Sequence, residues 1–208
     1  CDLTVVVDGD TSNHFIEKYL PLKIEKKDTI NEIIKRGYGD SMGVSNIKTL
    51  EIIKKDNPSL NTLIYYVEND YLHCFDWPMI VLDLFNHFFE NLYLSLYDHY
   101  DKYLFVLPDR NDEWGLYKNL QSQILASSFC HWRTIPNFCH SFIFPTQYLI
   151  EDYDILTKEE SDSGICSLLA KNKNRNFLTP IPSLSTHCQL PFLAPCIDWE
   201  KISNNTQS

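Results

Sequence analysis

Two carboxylates, Glu68 and Asp70, stand one residue apart behind the apolar run Thr62-Leu63-Ile64-Tyr65-Tyr66-Val67. A pair at i and i+2 behind a strand can share a divalent ion, directly or through water, with the phosphates of a nucleotide. Oxygen donors suit Mg²⁺ or Mn²⁺. The same triplet also makes a plain solvated turn. Asp8-Gly9-Asp10 repeats the theme behind Leu3-Thr4-Val5-Val6-Val7. Asp8 can accept hydrogen bonds from a base or ribose, although a glycine turn needs no ligand to explain it. A third acid, Asp98, follows the run from Leu92 to Leu96. Three strand ends carrying acids point to one edge that holds a cation.

Other side chains widen the field. In Cys130-His131-Trp132-Arg133, Arg133 offers a phosphate ligand, and Trp132 offers a face for a sugar or an anchor for a loop. His187 follows Pro180-Ile181-Pro182 and is a candidate third metal ligand, with His73, His99, His131 and His140 as rivals. Asp162, in Glu160-Ser161-Asp162-Ser163-Gly164, suits a helix cap or a general base that takes a proton from an acceptor hydroxyl. Glu151 and Asp152 are the rival carboxylates.

The elements that must position these groups alternate. Apolar runs near residues 3–7, 22–25, 62–67, 92–96, 142–144 and 177–178 predict strands. Helical spacing or capping predicts helices near 12–20, 45–55, 78–89 and 162–171. Gly37, Gly39 and Gly43 mark a loop, residues 100–128 read as mainly looped, and 204–208 as a frayed end. Alternation predicts an α/β fold with a mostly parallel sheet and helices on both faces. The strands near 3–7, 62–67 and 92–96 should lie side by side. Ligands of such sheets gather at the carboxyl ends of the strands.

Composition bounds the partners. The 208 residues carry a formal net charge of −10, with 44% hydrophobic and 22% charged residues. That balance excludes a nucleic-acid binder and a polybasic membrane patch. An anionic ligand would need a local remedy, and a bound cation is one. Seven cysteines form no C-x-x-C pair, which suits free thiols in a reducing cytoplasm. No apolar run reaches transmembrane length. Residues 1–203 read as one domain.

In order along the chain, these words resemble a GT-A-type nucleotide-diphospho-sugar transferase, in or near glycosyltransferase family two. Val6-Val7-Asp8-Gly9-Asp10 comes first, then the Gly/Ser loop into a helix over 37–50. Tyr66-Val67-Glu68-Asn69-Asp70-Tyr71-Leu72-His73 looks like the family's D-x-D strand end. Tyr97-Asp98-His99, His131-Trp132-Arg133 and Ile150-Glu151-Asp152-Tyr153 resemble words of a bacterial and viral subgroup. Asp162 through Leu168-Leu169 to Pro180-Ile181-Pro182 and His187 resembles the closing module. Leu193-Ala194-Pro195 and Ile197-Asp198-Trp199-Glu200 resemble the subgroup's ending.

The resemblance spans roughly residues 3–201. It implies a Rossmann-like GT-A fold and Mn²⁺- or Mg²⁺-dependent, inverting transfer of a sugar from a nucleotide-sugar donor to a hydroxyl acceptor. It gives Asp8 to the base or ribose, Asp70 with Glu68 behind it to the metal and diphosphate, His187 to the metal and Asp162 to proton abstraction. Departures are Glu68 in place of the first Asp, and Ser161 where the family has Glu. The family's usual first strand and helix, which help bind the base, are expected to be missing. Rival readings are a nucleotidyltransferase of similar fold and a non-catalytic remnant or binding module.

Overall fold

The computed structural model describes residues 4–8, 23–27, 42–88, 90–99, 102–103, 121–139, 141–158, 161–190 and 192–205. The chain divides into two compact units, residues 1–62 with 145–161 and residues 63–144 with 162–208.

In the first unit, strand β1 (Thr4–Asp8) runs parallel to β2 (Lys23–Lys27), in register from Thr4 opposite Lys23 to Asp8 opposite Lys27. Helix α1 (Met42–Asp56) follows, with Leu50 buried. Lys54 and Lys55 occupy its last turn, where cations oppose the helix dipole. Asn57 then takes φ 48°, a left-handed stop, and Pro58 prevents resumption. Short helices α3 (Thr146–Glu151) and α4 (Tyr153–Leu156) return to this unit; α2 lies in the other. Thr146 donates from its backbone N and its hydroxyl to the Thr62 carbonyl, and Lys54 Nζ sits 3.6 Å over the Tyr153 ring. The expected helix near 12–20 and the Gly37 and Gly39 loop lie outside the described residues.

The second unit is built on a six-stranded sheet. Its strands are β3 (Leu63–Tyr66), β5 (Leu92–Leu94), β6 (Ile124–Ala126), β7 (His131–Thr134), β8 (Phe142–Pro145) and β9 (Asn176–Ile181), in the order β3-β8-β5-β9-β7-β6. β5 and β9 are parallel, whereas β5–β8, β7–β9 and β6–β7 are antiparallel. The sheet is therefore mixed, which corrects the expectation of a mostly parallel one. A hairpin supplies part of the difference: Ser127 N donates to the Cys130 carbonyl, reversing the chain between β6 and β7. The expected neighbours also differ. β8 separates β3 from β5, and β1 pairs with β2 in its own two-stranded sheet.

Helix α2 (Trp77–His87) starts with Pro78 in its first turn, where a missing N–H goes unnoticed. It buries Ile80, Val81, Leu84 and Phe85 in a cluster with Leu92, Leu94, Trp132, Ile143 and Leu178 of the sheet. Side chains alternate along a strand, so Tyr93, between Leu92 and Leu94, meets instead the rings of Phe138, Phe142, Phe144 and Phe177. Apart from the sheet, β4 (Tyr71–His73) and β10 (Ser185–His187) form an antiparallel ribbon. Helix α5 (Asp162–Lys173) leads into β9, and α6 (Trp199–Asn205) carries helix into the stretch read as frayed. Among the described residues, no helix is long and apolar enough to cross a membrane.

Candidate functional site

The ribbon brings two distant candidates together. Asp70 immediately precedes β4, and His187 ends β10 opposite Tyr71. Cys188 N donates to the Asp70 carbonyl at 2.7 Å, which closes the ribbon's end. There His187 Nε2 lies 2.8 Å from Asp70 Oδ2, with side-chain exposures of 20% and 48%. The other end is tied by Cys74 N to the Leu184 carbonyl, and Ala194 N donates to Thr186 Oγ1 at 2.7 Å. The contact thus sits at an accessible tip on a fastened base.

Two tyrosines relate the remaining acids to this tip. Burial pushes the Tyr71 phenol well above its ordinary range, and Cys139, Tyr97, Glu68 and Asp70 add to the push. Burial likewise lifts Tyr66, helped by the charges of Glu68 and Asp162. Glu68 therefore acts on both phenols, and Asp162 on one of them. Asp162 is the first residue of α5, where a carboxylate is favoured by the helix dipole. Neither tyrosine was singled out from sequence, where Tyr66 sat within an expected strand and Tyr71 beyond it; the signal was their bracketing of Glu68-Asn69-Asp70.

Arg133 lies elsewhere. It is 6% exposed on β7, and its Nη2 pairs with Asp98 Oδ1. Tyr103 donates its hydroxyl to Asp98 Oδ2 and stacks under the guanidinium at 4.3 Å. Burial raises the Asp98 carboxyl against the opposing pull of Tyr103, Arg133 and Lys102. This engagement takes up the charge that the sequence reading offered to phosphate. Trp132 is fully buried with its Nε1 donating to Ser127 Oγ, so it is an anchor and presents no face to a sugar.

The other candidates disperse. Asp8 ends β1 opposite Lys27, and Asp10 lies outside the described residues, as does His140. His73 bonds to Tyr65, whose hydroxyl also reaches Ser141 Oγ. His131 is exposed on β7. Glu151 is exposed and accepts from Gln147 Nε2, whereas Asp152 is fully buried between α3 and α4.

Among the described residues, no group of three or more His, Cys, Asp or Glu is set to hold a metal. Asp70 and His187 nonetheless have the right separation for two donors. Adjacent ligands of an octahedral ion with bonds near 2.1 Å lie about 3 Å apart, and such an ion commonly takes few protein ligands plus phosphates and water. At 2.8 Å the two side chains are in direct contact with each other, an ion pair when the imidazole is protonated. Neither a protein-family model nor a curated protein sequence matches the chain.

Proposed function

We propose that this chain is a GT-A-type, metal-dependent glycosyltransferase that moves a sugar from a nucleotide-sugar donor to a hydroxyl acceptor with inversion. The observation that carries the reading is the 2.8 Å contact of Asp70 with His187, two residues that only the ordered resemblance linked beforehand. Asp70 and His187 would hold Mn²⁺ or Mg²⁺, with the negative charge of Glu68 behind them, and the ion would supply positive charge against the leaving diphosphate. The acceptor hydroxyl gives its proton to the Asp162 carboxylate. Its oxygen bonds to the anomeric carbon as the carbon–oxygen bond to the diphosphate breaks, and a nucleoside diphosphate leaves. Asp8 contacts the base or ribose by resemblance alone. The six described cysteines are all free thiols, in keeping with a reducing, cytoplasmic setting. A nucleotidyltransferase of similar fold would release pyrophosphate or a nucleotidyl product, so product analysis separates the two.

The test is a panel of nucleoside diphosphates with and without Mn²⁺, read by thermal unfolding. A ligand at about 100 times its dissociation constant stabilises by roughly 2.7 kcal/mol. At least one nucleotide should reach that level with Mn²⁺ and fall well short without it. Asp70→Ala should abolish the difference without unfolding the chain, since this half-exposed side chain contributes little packing. Equal stabilisation with and without metal, indifferent to Asp70→Ala, overturns the assignment.

A further inference from the structure

Helix α2 carries an apolar stripe on the side away from its core. Phe75, just ahead of the helix, is fully exposed, and Met79 and Leu82 are 53% and 56% exposed. Steps of four and three residues keep such side chains on one helix face, opposite the buried Ile80, Val81, Leu84 and Phe85. The hairpin between β6 and β7 adds a fourth member, since Phe129 at its turn is 60% exposed. Ser128 N donates to Asp83 Oδ2 at 2.8 Å, which ties the turn to the helix and brings Phe129 alongside the stripe. Trp132 Nε1 donates to Ser127 Oγ and holds the same turn to the sheet. The surface is thus built before anything binds it, which lowers the ordering cost of association.

Area and charge narrow what covers it. At ~200 Å² for a fully exposed side chain of this size, the four present roughly 500 Å², the upper range for an apolar patch on a monomer. One side of a standard interface is about 800 Å², so these residues match the apolar core of one, with a polar rim around it. The chain as a whole carries −10, yet Asp83, the acid beside the stripe, is turned to Ser128 and to His87, 3.6 Å away. Asp76 stays exposed at the head of the helix. A basic partner is drawn by acids across its docking face, and this face offers rings and aliphatic carbon instead. It is also where two chains of equal negative charge can meet with least repulsion. The stripe is self-complementary in addition. A two-fold axis through Met79, with the helices antiparallel, sets each Phe75 over the partner's Leu82, and the unbranched Met79 adapts to its own copy at the axis.

We propose that this face of α2, together with Phe129, docks a second copy of the chain in a two-fold dimer. The dimer does not depend on the glycosyltransferase reading.

Sedimentation of the full chain across a concentration series tests it. Wild type should pass from monomer to dimer as concentration rises, and added salt should tighten the dimer by screening the repulsion of two chains of −10 each. Phe75→Glu and Phe129→Glu should each weaken dimerisation at least ~30-fold, the loss expected of a central anchor. Both side chains are exposed, so circular dichroism should show both variants folded. Phe75→Tyr keeps the ring and should keep the dimer. Ile124→Lys charges β6, the end strand of the sheet, and should leave the dimer intact. A chain that stays monomeric at every concentration overturns the proposal. So does a dimer that survives both glutamate variants, or one that Ile124→Lys dissociates in their place, which would put the contact on the sheet edge.

Discussion

Asp98 and Asp162 are the same side chain in contrasting surroundings. Asp98 is 1% exposed and locked between Arg133 and Tyr103. Removing one partner of a buried ion pair leaves the other charge uncompensated and costs about 3–5 kcal/mol. Asp98→Ala should therefore lower the urea midpoint sharply, and Asp98→Ala with Arg133→Leu should recover much of the loss. If the single variant unfolds like wild type, the pair has been misassigned. Asp162 is half-buried at the start of α5, and in the proposed reaction it takes the acceptor's proton. Asp162→Asn should bind donor and metal normally yet transfer sugar at least ~100-fold more slowly, the low end of a general base's contribution. Asp152→Asn should act through stability, because Asp152 is fully buried. A fast Asp162→Asn enzyme beside a dead, folded Asp152→Asn one would reverse the roles. At this scale the sequence was informative about residue type and poor about company. Nothing in Arg133 itself says that its carboxylate partner stands 35 residues upstream. The Asp70–His187 pairing was legible only through the family resemblance of the ordered segments.

Among the elements, α2 shows how burial divides one helix into two kinds of leucine. Leu84 has no exposed surface and joins the main cluster, whereas Leu82 is 56% exposed. Leu84→Ala should destabilise by about 2–5 kcal/mol. Leu82→Ala should change stability by no more than about 0.5 kcal/mol. Chemical denaturation of the two variants side by side checks both, and similar losses would mean the helix is turned differently. This helix and α1 were legible because proline, asparagine and long apolar periodicity mark them locally. β6, β7 and β10 were not. His131-Trp132-Arg133-Thr134 shows no simple alternation, and Ser185-Thr186-His187 is polar throughout. Such short segments become strands through partners: β7 is flanked by β6 and β9, and β10 pairs with β4. The mixed sheet escaped a local reading for the same reason, since strand direction is decided by where a partner enters.

For the molecule as a whole, one half-buried imidazole links stability to acid. Burial holds His73 down at about 4 from an ordinary 6.5. Between those values the unfolded chain takes up a proton that the folded chain refuses, so stability falls as pH falls through that window. The full effect is roughly 3 kcal/mol at most, complete only below the folded value. Unfolding temperature should therefore drop from pH 7 to pH 4.5, and His73→Phe should flatten the drop, whatever it does to stability at pH 7. An unchanged slope would remove His73 from the account. The division into discontinuous units has a further consequence, for the order in which the protein is made. A ribosome delivers β5 long before its parallel partner β9, and Asp70 long before His187. The first unit waits for residues 145–161, and the second needs residues beyond 162. Neither unit can close while synthesis is half done, so the nascent chain must keep apolar β5 from other partners for much of its translation. A premature stop anywhere between β4 and β10 yields a chain that has its Asp70 and no His187, and nothing for β4 to pair with.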